Sequence, residues 1–525
     1  MDKLKLFVIS HWLLVIIIII ASFFRLYNIS QLPPGFYPDE AIYANNGVEA
    51  WETDPPAGGF KVFYPENNGR EGLWPNIIGF FIVNFGHEPW VSRSIAAIFG
   101  ILTVLGVYFL TKELFSNNLQ REKIALLSSF LMATSFWHIL FSRIGFRAIM
   151  APFFLVWGIY FLLVFLNRIN ENQKLKIIIY SVLGGVFFGL GFHTYIAYRA
   201  MPLLILVILA LYWLTNKTWG VRKKILISAL YFLLFTFIVA LPLGLYFLKN
   251  PADFFGRTGQ ISIFNSPTLV KNLGMNILKT AGMFNFSGDW NWRHNYAGKP
   301  ELFWPIGALF LTGIFLGLRI FFEKVFRRLS GNDLQAFIIL FSWLIIAVLP
   351  TVISNEGLPH ALRALLMIPP IFILAGFGGV WLIENIKYQF ARWRTKIKNT
   401  NQNSKFLNFT LLFYILIFTF FIWLTFNAYY SYFIQWGKNQ NVQGAFSADY
   451  VQIGRELNVL PKELPKYVIV EASGVNVRGI PMPAQTVMFI TDTFTPEKQK
   501  EKNIFYVLPE QKNQIPENSY KIILK

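Results

Sequence analysis

Residues 6–44 read LFVISHWLLVIIIIIASFFRLYNISQLPPGFYPDEAIYA, a run of almost pure hydrocarbon that gives way to a proline-stiffened turn and two adjacent carboxylates, Asp39 and Glu40. A membrane span takes about 20 mostly apolar residues, and 6–24 meets that length. The basic start (Lys3, Lys5) is shared with secretory signals, but the apolar core is too long and no small-residue cleavage pattern follows. The segment therefore reads as a retained first span. The rest of the chain agrees: of 525 residues, 54% are hydrophobic and only 14% charged, with a mean hydropathy of +0.46, whereas soluble chains carry about a quarter charged residues. The class is a polytopic α-helical membrane protein.

Further spans are predicted at 90–110, 124–141, 148–166, 177–196, 198–214, 225–248, 302–318, 335–353, 364–386 and 406–427, about eleven in all. The stretch 73–86, LWPNIIGFFIVNFG, is too short to cross upright and reads as a helix lying at the interface. The loops test this arrangement. Lys112, Arg121 and Lys123, then Arg168, Lys174 and Lys176, then Lys217, Arg222, Lys223 and Lys224 fall in alternate connections. So do Arg319, Lys324, Arg327 and Arg328, and finally Lys387, Arg392, Arg394, Lys396, Lys398 and Lys405. Every strongly basic loop thus shares one side, which the positive-inside rule makes cytoplasmic together with the N-terminus. Most of the net charge of +19 is accounted for by topology, so it is no sign of nucleic acid as a partner. The chain has no cysteine, which excludes disulfides, thiolate ligands and cysteine nucleophiles.

The opposite side holds two large loops, 25–89 and 249–301, short turns near 142–147 and 354–363, and a tail from 428 to 525. In the tail, GAFSADYVQIGRELNVL has helical periodicity, and KYVIVEA, TVMFITDTF, NIFYVLP and YKIILK read as short strands. The expected organisation is a membrane domain over 1–427 followed by a small extracytoplasmic α/β domain. Polar chemistry gathered on one face suits an enzyme working at that face; a transporter more often places ionisable groups near mid-membrane. A lipid-linked sugar flippase or exporter is the alternative from a different class.

On that face the candidate residues fall into three groups. Asp39 and Glu40 stand at a helix start, where one can cap the helix while its neighbour, projecting in another direction, faces a cleft. Glu71, in NNGREGLWP, can be a helix N-terminal charge, a partner that holds another site residue, or a substrate contact. Arg143 and Arg147 in FSRIGFRA, His193 and Arg199 in FHTYIAYRAMP, and His360 and Arg363 in PHALRALLMIPP bring cations to three short turns. Singly these suit lipid phosphates; together they read as a pocket for a phosphate-bearing substrate. The compact run GDWNWRHN adds Asp289, Trp290, Arg293 and His294, aromatic surface mixed with hydrogen-bonding groups that suits a sugar or a lipid headgroup. No cofactor is demanded: acids are plentiful enough to hold a divalent metal, but no ligand spacing requires one.

In their order along the chain, PDEAIYANNGVEAW, GREGLWPNIIGFFIVNFGHEPWVSRSIAAIFGILTVLGVYFLTKELF, SFWHILFSRIGFRA, GLGFHTYIAYRAMPL, GDWNWRHNYAGKPELFWP and PHALRALLMIPP resemble the GT-C superfamily of polytopic glycosyltransferases. The branch they resemble is the family 39 type, that of protein O-mannosyltransferases and aminoarabinose transferases. The resemblance spans roughly 1–427. It implies a GT-C fold in the plasma or inner membrane and transfer of a sugar from a polyprenyl-phosphate monosaccharide to a hydroxyl of a protein, glycolipid or cell-wall glycan. It places the catalytic position at Asp39 and a second family acid at Glu40. Gly72 stands where many relatives have a proline after the glutamate. Chemistry points the same way: a polyprenyl phosphate leaving group needs cations around it, and an acceptor hydroxyl needs a carboxylate base. A single inverting displacement with Asp39 as base is the reading, with Arg143, Arg199 and Arg363 around the phosphate and His360 or His294 assisting.

Overall fold

The computed structural model describes residues 3–55, 58–171, 173–265, 268–327, 332–355, 357–396 and 403–525; Arg328 and Lys398 of the basic loops lie outside these. The hydrocarbon run forms α1 (Lys3–Leu26). The first large loop then folds into α2 (Pro38–Glu52), a hairpin of β1 (Phe63–Tyr64) and β2 (Arg70–Glu71), and α3 (Leu73–Phe85). The bundle continues as α4 (Pro89–Leu114), α5 (Arg121–Ala133), α6 (Phe136–Phe141), α7 (Met150–Asn167), α8 (Lys174–Gly191), α9 (Pro202–Thr215) and α10 (Trp219–Lys249). The second large loop carries α11 (Pro251–Ile261) and α12 (Leu269–Gly282). Four long helices complete the bundle: α13 (Trp304–Arg327), α14 (Asn332–Val352), α15 (Ile368–Lys396) and α16 (Asn403–Tyr429). Among the described residues eight helices are long and apolar enough to cross a membrane, and the apolar stretches Ser10–Leu26, Leu73–Phe85 and Leu175–Gly191 are shorter. The stretch expected as one span over 124–141 is broken: α5 stops at Ala133, and α6 restarts after Thr134 and Ser135.

The basic connections meet at one end of the bundle. There Lys123 pairs with Glu384 (2.8 Å), Arg168 with Glu113 (2.8 Å), and Lys224 Nζ donates to the Ile169 carbonyl (3.3 Å). The long loops pack at the other end. α3 is not a free interfacial helix. Its Trp74, Ile78 and Ile82 are fully buried, and it crosses α2 where Gly47 meets Gly79, with backbone against backbone, so that a Cβ at either position would come within 3 Å of the partner.

Four buried indoles fasten the loop-bearing end to the bundle. Trp74 donates to the Gly145 carbonyl (2.9 Å), Trp137 to Ala361 (3.2 Å), Trp343 to Leu366 (2.9 Å) and Trp436 to Trp292 (3.0 Å). A buried indole N–H needs such a partner, and here each partner lies in or beside one of the short turns or loops that carry the candidate residues.

After α16 the chain forms α17 (Gln440–Ala445), α18 (Ala448–Val459), β3 (Lys466–Val470), a small hairpin of β4 (Asn476–Val477) and β5 (Ile480–Pro481), α19 (Ala484–Thr491), α20 (Pro496–Lys502), β6 (Ile504–Val507) and β7 (Tyr520–Leu524). β3 is the central strand of a parallel sheet of order β6-β3-β7, with Val468 opposite Tyr506 and Ile522. The expected strand TVMFITDTF is instead α19, all eight of whose residues are buried between α18 and α2. A short run that is apolar on every side carries no periodicity to separate strand from helix.

Candidate functional site

A cavity of about 510 Å³ opens at the loop-bearing end. Its floor comes from the start of α2, the β1–β2 turn and the turns at 147, 195–197 and 360–363, and its roof from the C-terminal region through Ser447, Tyr450, Ser473, Gly474, Val475, Met482 and Pro483. The carboxylate in its lining is Asp39, and the guanidinium groups are Arg70, Arg147 and Arg363. A larger cavity, about 850 Å³, lies between α1, α5, α15 and α16. Apart from Lys123, Glu384 and Lys387 at its basic-loop end its walls are almost wholly apolar, so it lacks the groups for group transfer.

The two adjacent acids part company at the first turn of α2. Pro38 occupies the first helical position, where its missing N–H costs nothing, and Glu40 reaches back to accept from the Tyr37 N–H (3.3 Å). Glu40 is fully buried. It takes Arg93 Nε and Nη2 at 3.1 and 3.0 Å and the Gly145 N–H at 2.6 Å, and it does not line the cavity. Asp39 does, and its Oδ1 accepts from Asn67 Nδ2 (2.8 Å). The tight turn that delivers Asn67 holds Asn67, Asn68 and Gly69 at φ of 50°, 64° and 83°, a left-handed run that asparagine and glycine tolerate best. At Gly69 a Cβ would also strike the Phe63 ring.

Arg147 bridges three groups: Nε to Glu71 (3.0 Å) and the Thr194 carbonyl (3.1 Å), and Nη1 to the Tyr43 hydroxyl (2.5 Å). Glu71 is buried behind it, with Arg199 3.7 Å away on its other oxygen. Arg199 stands off the cavity, clasped between Phe247 and Phe254 and donating to the Phe254 carbonyl. Arg143 also leaves the cavity. The helical spacing expected to put it beside Arg147 fails because the chain turns at Gly145. Its guanidinium runs instead to Tyr432 and the carbonyls of Phe24 and Leu32. His193 turns to the Val239 carbonyl (2.8 Å), and Trp290 is exposed and lies over Gly298.

Arg70 is the residue that sequence reading missed. It lines the cavity, is 1% exposed, and its Nη1 has no hydrogen-bond partner among the described residues, while Nε and Nη2 are held by Glu66. Burial lowers its pKa below the ordinary guanidinium value, and as an arginine it stays protonated. The signal was present in NNGRE, where attention to Glu71 passed over its neighbour. Beside it, burial and Asp39 raise the Tyr37 hydroxyl to about 12, with Arg293 stacked 3.9 Å above its ring.

One layer behind His360 lies Asp289, 4% exposed. Its Oδ2 accepts from the Ala361 N–H (2.9 Å) and His294 Nδ1 (3.1 Å) and lies 3.9 Å from His360 Nδ1. The two imidazoles pack with centroids 4.9 Å apart. The donor atoms of Asp289, His294 and His360 all fall within 4.8 Å of one another, a spacing that the side chains would have to tighten to bind one metal ion with bonds of about 2.0–2.2 Å. Glu301, which accepts the Asp289 N–H (3.0 Å), is pushed well above the usual carboxylate range by burial, against that hydrogen bond, which lowers it, and with the charge of Asp289, which raises it.

Residues 15–255 match the family described as dolichyl-phosphate-mannose-protein mannosyltransferase. Among curated protein sequences nothing matches. Among solved structures the chain is similar to the oligosaccharyltransferase AglB from Archaeoglobus fulgidus in complex with an inhibitory peptide and a dolichol-phosphate. The identity is 14% and the TM-score 0.54, covering 93% of this chain and 64% of that one. It is also similar to ArnT from Cupriavidus metallidurans bound to undecaprenyl phosphate, with 14% identity and a TM-score of 0.51 over 92% of this chain and 85% of that one. The apo state of the same ArnT gives 15% and 0.52 over the same shares. The chain thus spans about two thirds of the length of AglB, and at these identities the likeness is one of fold.

Proposed function

We propose that the chain is a glycosyltransferase of the GT-C superfamily that moves a sugar from a polyprenyl-phosphate donor to an acceptor hydroxyl; the family match over residues 15–255 and the shared fold support this. The observation that carries this reading is the pairing, in one cavity, of a single carboxylate with three guanidinium groups. Arg70, Arg147 and Arg363 hold the donor phosphate, the first through its unpartnered Nη1. Asp39 takes the proton from the acceptor hydroxyl as that oxygen bonds to the anomeric carbon. The carbon–oxygen bond to phosphate breaks on the opposite side, and its electron pair stays on the phosphate among the arginines. With one carboxylate at the sugar the displacement is single and inverting; retention through a glycosyl-enzyme would call for a second carboxylate flanking the same ring. Glu40 acts as a positioning residue that fixes the first turn of α2, and Glu71 orients Arg147.

Asp289, His294 and His360 are the residues that would hold a divalent cation, which would add positive charge beside the leaving phosphate. Through the His360 ring that lines the cavity, the same cluster also sets the turn that carries Arg363. On this reading the side bearing the cavity lies outside the cell membrane, which the gathering of basic connections at the opposite end supports, and the region from about 428 onward is a small α/β domain that roofs the site.

The test is incubation of the purified protein with a panel of polyprenyl-phosphate sugars, following donor consumption. Consumption of one donor by the wild type, and none by Asp39→Asn, is the expected result. Indifference to every lipid-linked donor would overturn the reading.

A further inference from the structure

On the far side of the Asp289 loop lies a second, separate cavity of about 280 Å³, between that loop, the α5–α6 break and the last turns of the α16 segment. Its space is on the order of nine water volumes, the scale of one pyranose ring, and below the usual range for drug-sized ligands.

The chemistry of its walls differs from that of the first cavity. It has no arginine; it holds one acid, Glu301, and one base, Lys299. Asn427, Ser431 and Gln435 add two amides and a hydroxyl, groups that both donate and accept, as sugar hydroxyls do. Lys299 sits 3.7 Å over the Tyr296 ring and donates to Gln435 (3.2 Å), while Ser431 reaches Asn427 only at 3.4 Å. Glu301, which lines this space, is 3% exposed, and its buried Oε2 has no hydrogen-bond partner among the described residues. A buried polar atom left in this way is costly unless a ligand or water meets it. Phe136, Tyr296, Phe303 and Trp304 add aromatic side chains to the lining, of the kind the C–H face of a sugar packs against.

We infer that this second cavity binds one neutral sugar ring, apart from the Asp39 cavity. The site does not rest on the transfer reaction, although it touches it. Glu301 Oε1 holds the Asp289 N–H, and Asp289 holds His294 and the turn that carries His360. A sugar here therefore presses on the back of the first cavity. The same ring can arrive free or as the head of a glycolipid.

The test uses the full chain in lipid nanodiscs and saturation-transfer NMR with methyl α-mannopyranoside and methyl β-glucopyranoside as probes. Transfer to at least one probe is expected in the wild type. It should fall at least fivefold in Ser431→Phe, which fills the cavity, and two- to threefold in Gln435→Ala, which keeps the fold if the larger residue does not. Arg70→Gln, in the first cavity, should leave it unchanged. Displacement of the probe by a glucosylated lipid in the disc would assign the ring to a headgroup, and persistence of the signal would assign it to a soluble sugar. No transfer to either probe, a signal untouched by both cavity variants, or loss confined to Arg70→Gln would overturn the inference.

Discussion

Two sets of arginines serve the loop-bearing end, and they do opposite things. Arg93 and Arg143 are saturated. Arg93 spends its nitrogens on Glu40 and the carbonyls of Pro33 and Gly35, and Arg143 on Tyr432 and the carbonyls of Phe24 and Leu32. Arg70, Arg147 and Arg363 line the cavity, and Arg70 keeps a buried Nη1 with no partner among the described residues. A guanidinium whose donors all end on protein atoms is a strut. One that lines a polar cavity and keeps a donor unspent on protein atoms suits an anion.

The largest effect should come from breaking a strut. Arg93→Met leaves the Glu40 carboxylate buried without its counter-charge, which costs about 3–5 kcal/mol. A large drop in thermal stability and in yield is expected, and a stability equal to wild type would remove Arg93 from the structural set. Next comes Arg70→Gln. It takes away a charged hydrogen bond of about 1.5–3 kcal/mol, so affinity for undecaprenyl phosphate should fall about 10- to 100-fold, while the lost Glu66 contacts lower the melting temperature by less than Arg93→Met does. Loss of stability without loss of affinity would move Arg70 to the other set.

The smallest effect concerns the roof. Arg478 clamps it to the floor, with Nη1 and Nη2 on Glu49 at 2.7 Å and Nε on Glu66 at 2.9 Å. Burial alone would raise Glu66, but Arg478 outweighs it and holds the carboxyl below its usual 4.5. A lowered folded-state pKa means that the stability from this pair is fully present above 4.5 and is lost as pH falls through the lowered value. The protection factors for hydrogen exchange over 473–483, corrected for the intrinsic pH dependence of exchange, should therefore be flat from pH 8 to 5 and fall only below the ordinary glutamate range. Arg478→Ala should lower them at every pH. A fall already at pH 6 would point to a different latch.

Much of the frame was legible in the sequence because it rests on composition: the apolar runs, the alternation of basic loops and the gathering of polar residues on one side need no packing to be seen. The division of labour within the site was not. Asp39 and Glu40 are equivalent acids until Arg93, more than 50 residues away, claims one of them. Arg143 and Arg147 look like a helical pair until the Gly145 N–H turns to Glu40. Arg70 became visible only once the hairpin turn had folded it beside Asp39. α19 escaped because an eight-residue segment buried on all sides carries neither a helical nor a strand period. In each case the deciding partner was distant in the chain.

The most direct measurement is the split between chemistry and binding in Asp39→Asn. With the donor identified, the variant should lose transfer by about 10²–10⁴-fold, the usual contribution of a positioned base, while binding undecaprenyl phosphate as the wild type does, because the arginines are untouched. Transfer surviving at more than a tenth of the wild-type rate would contradict the account.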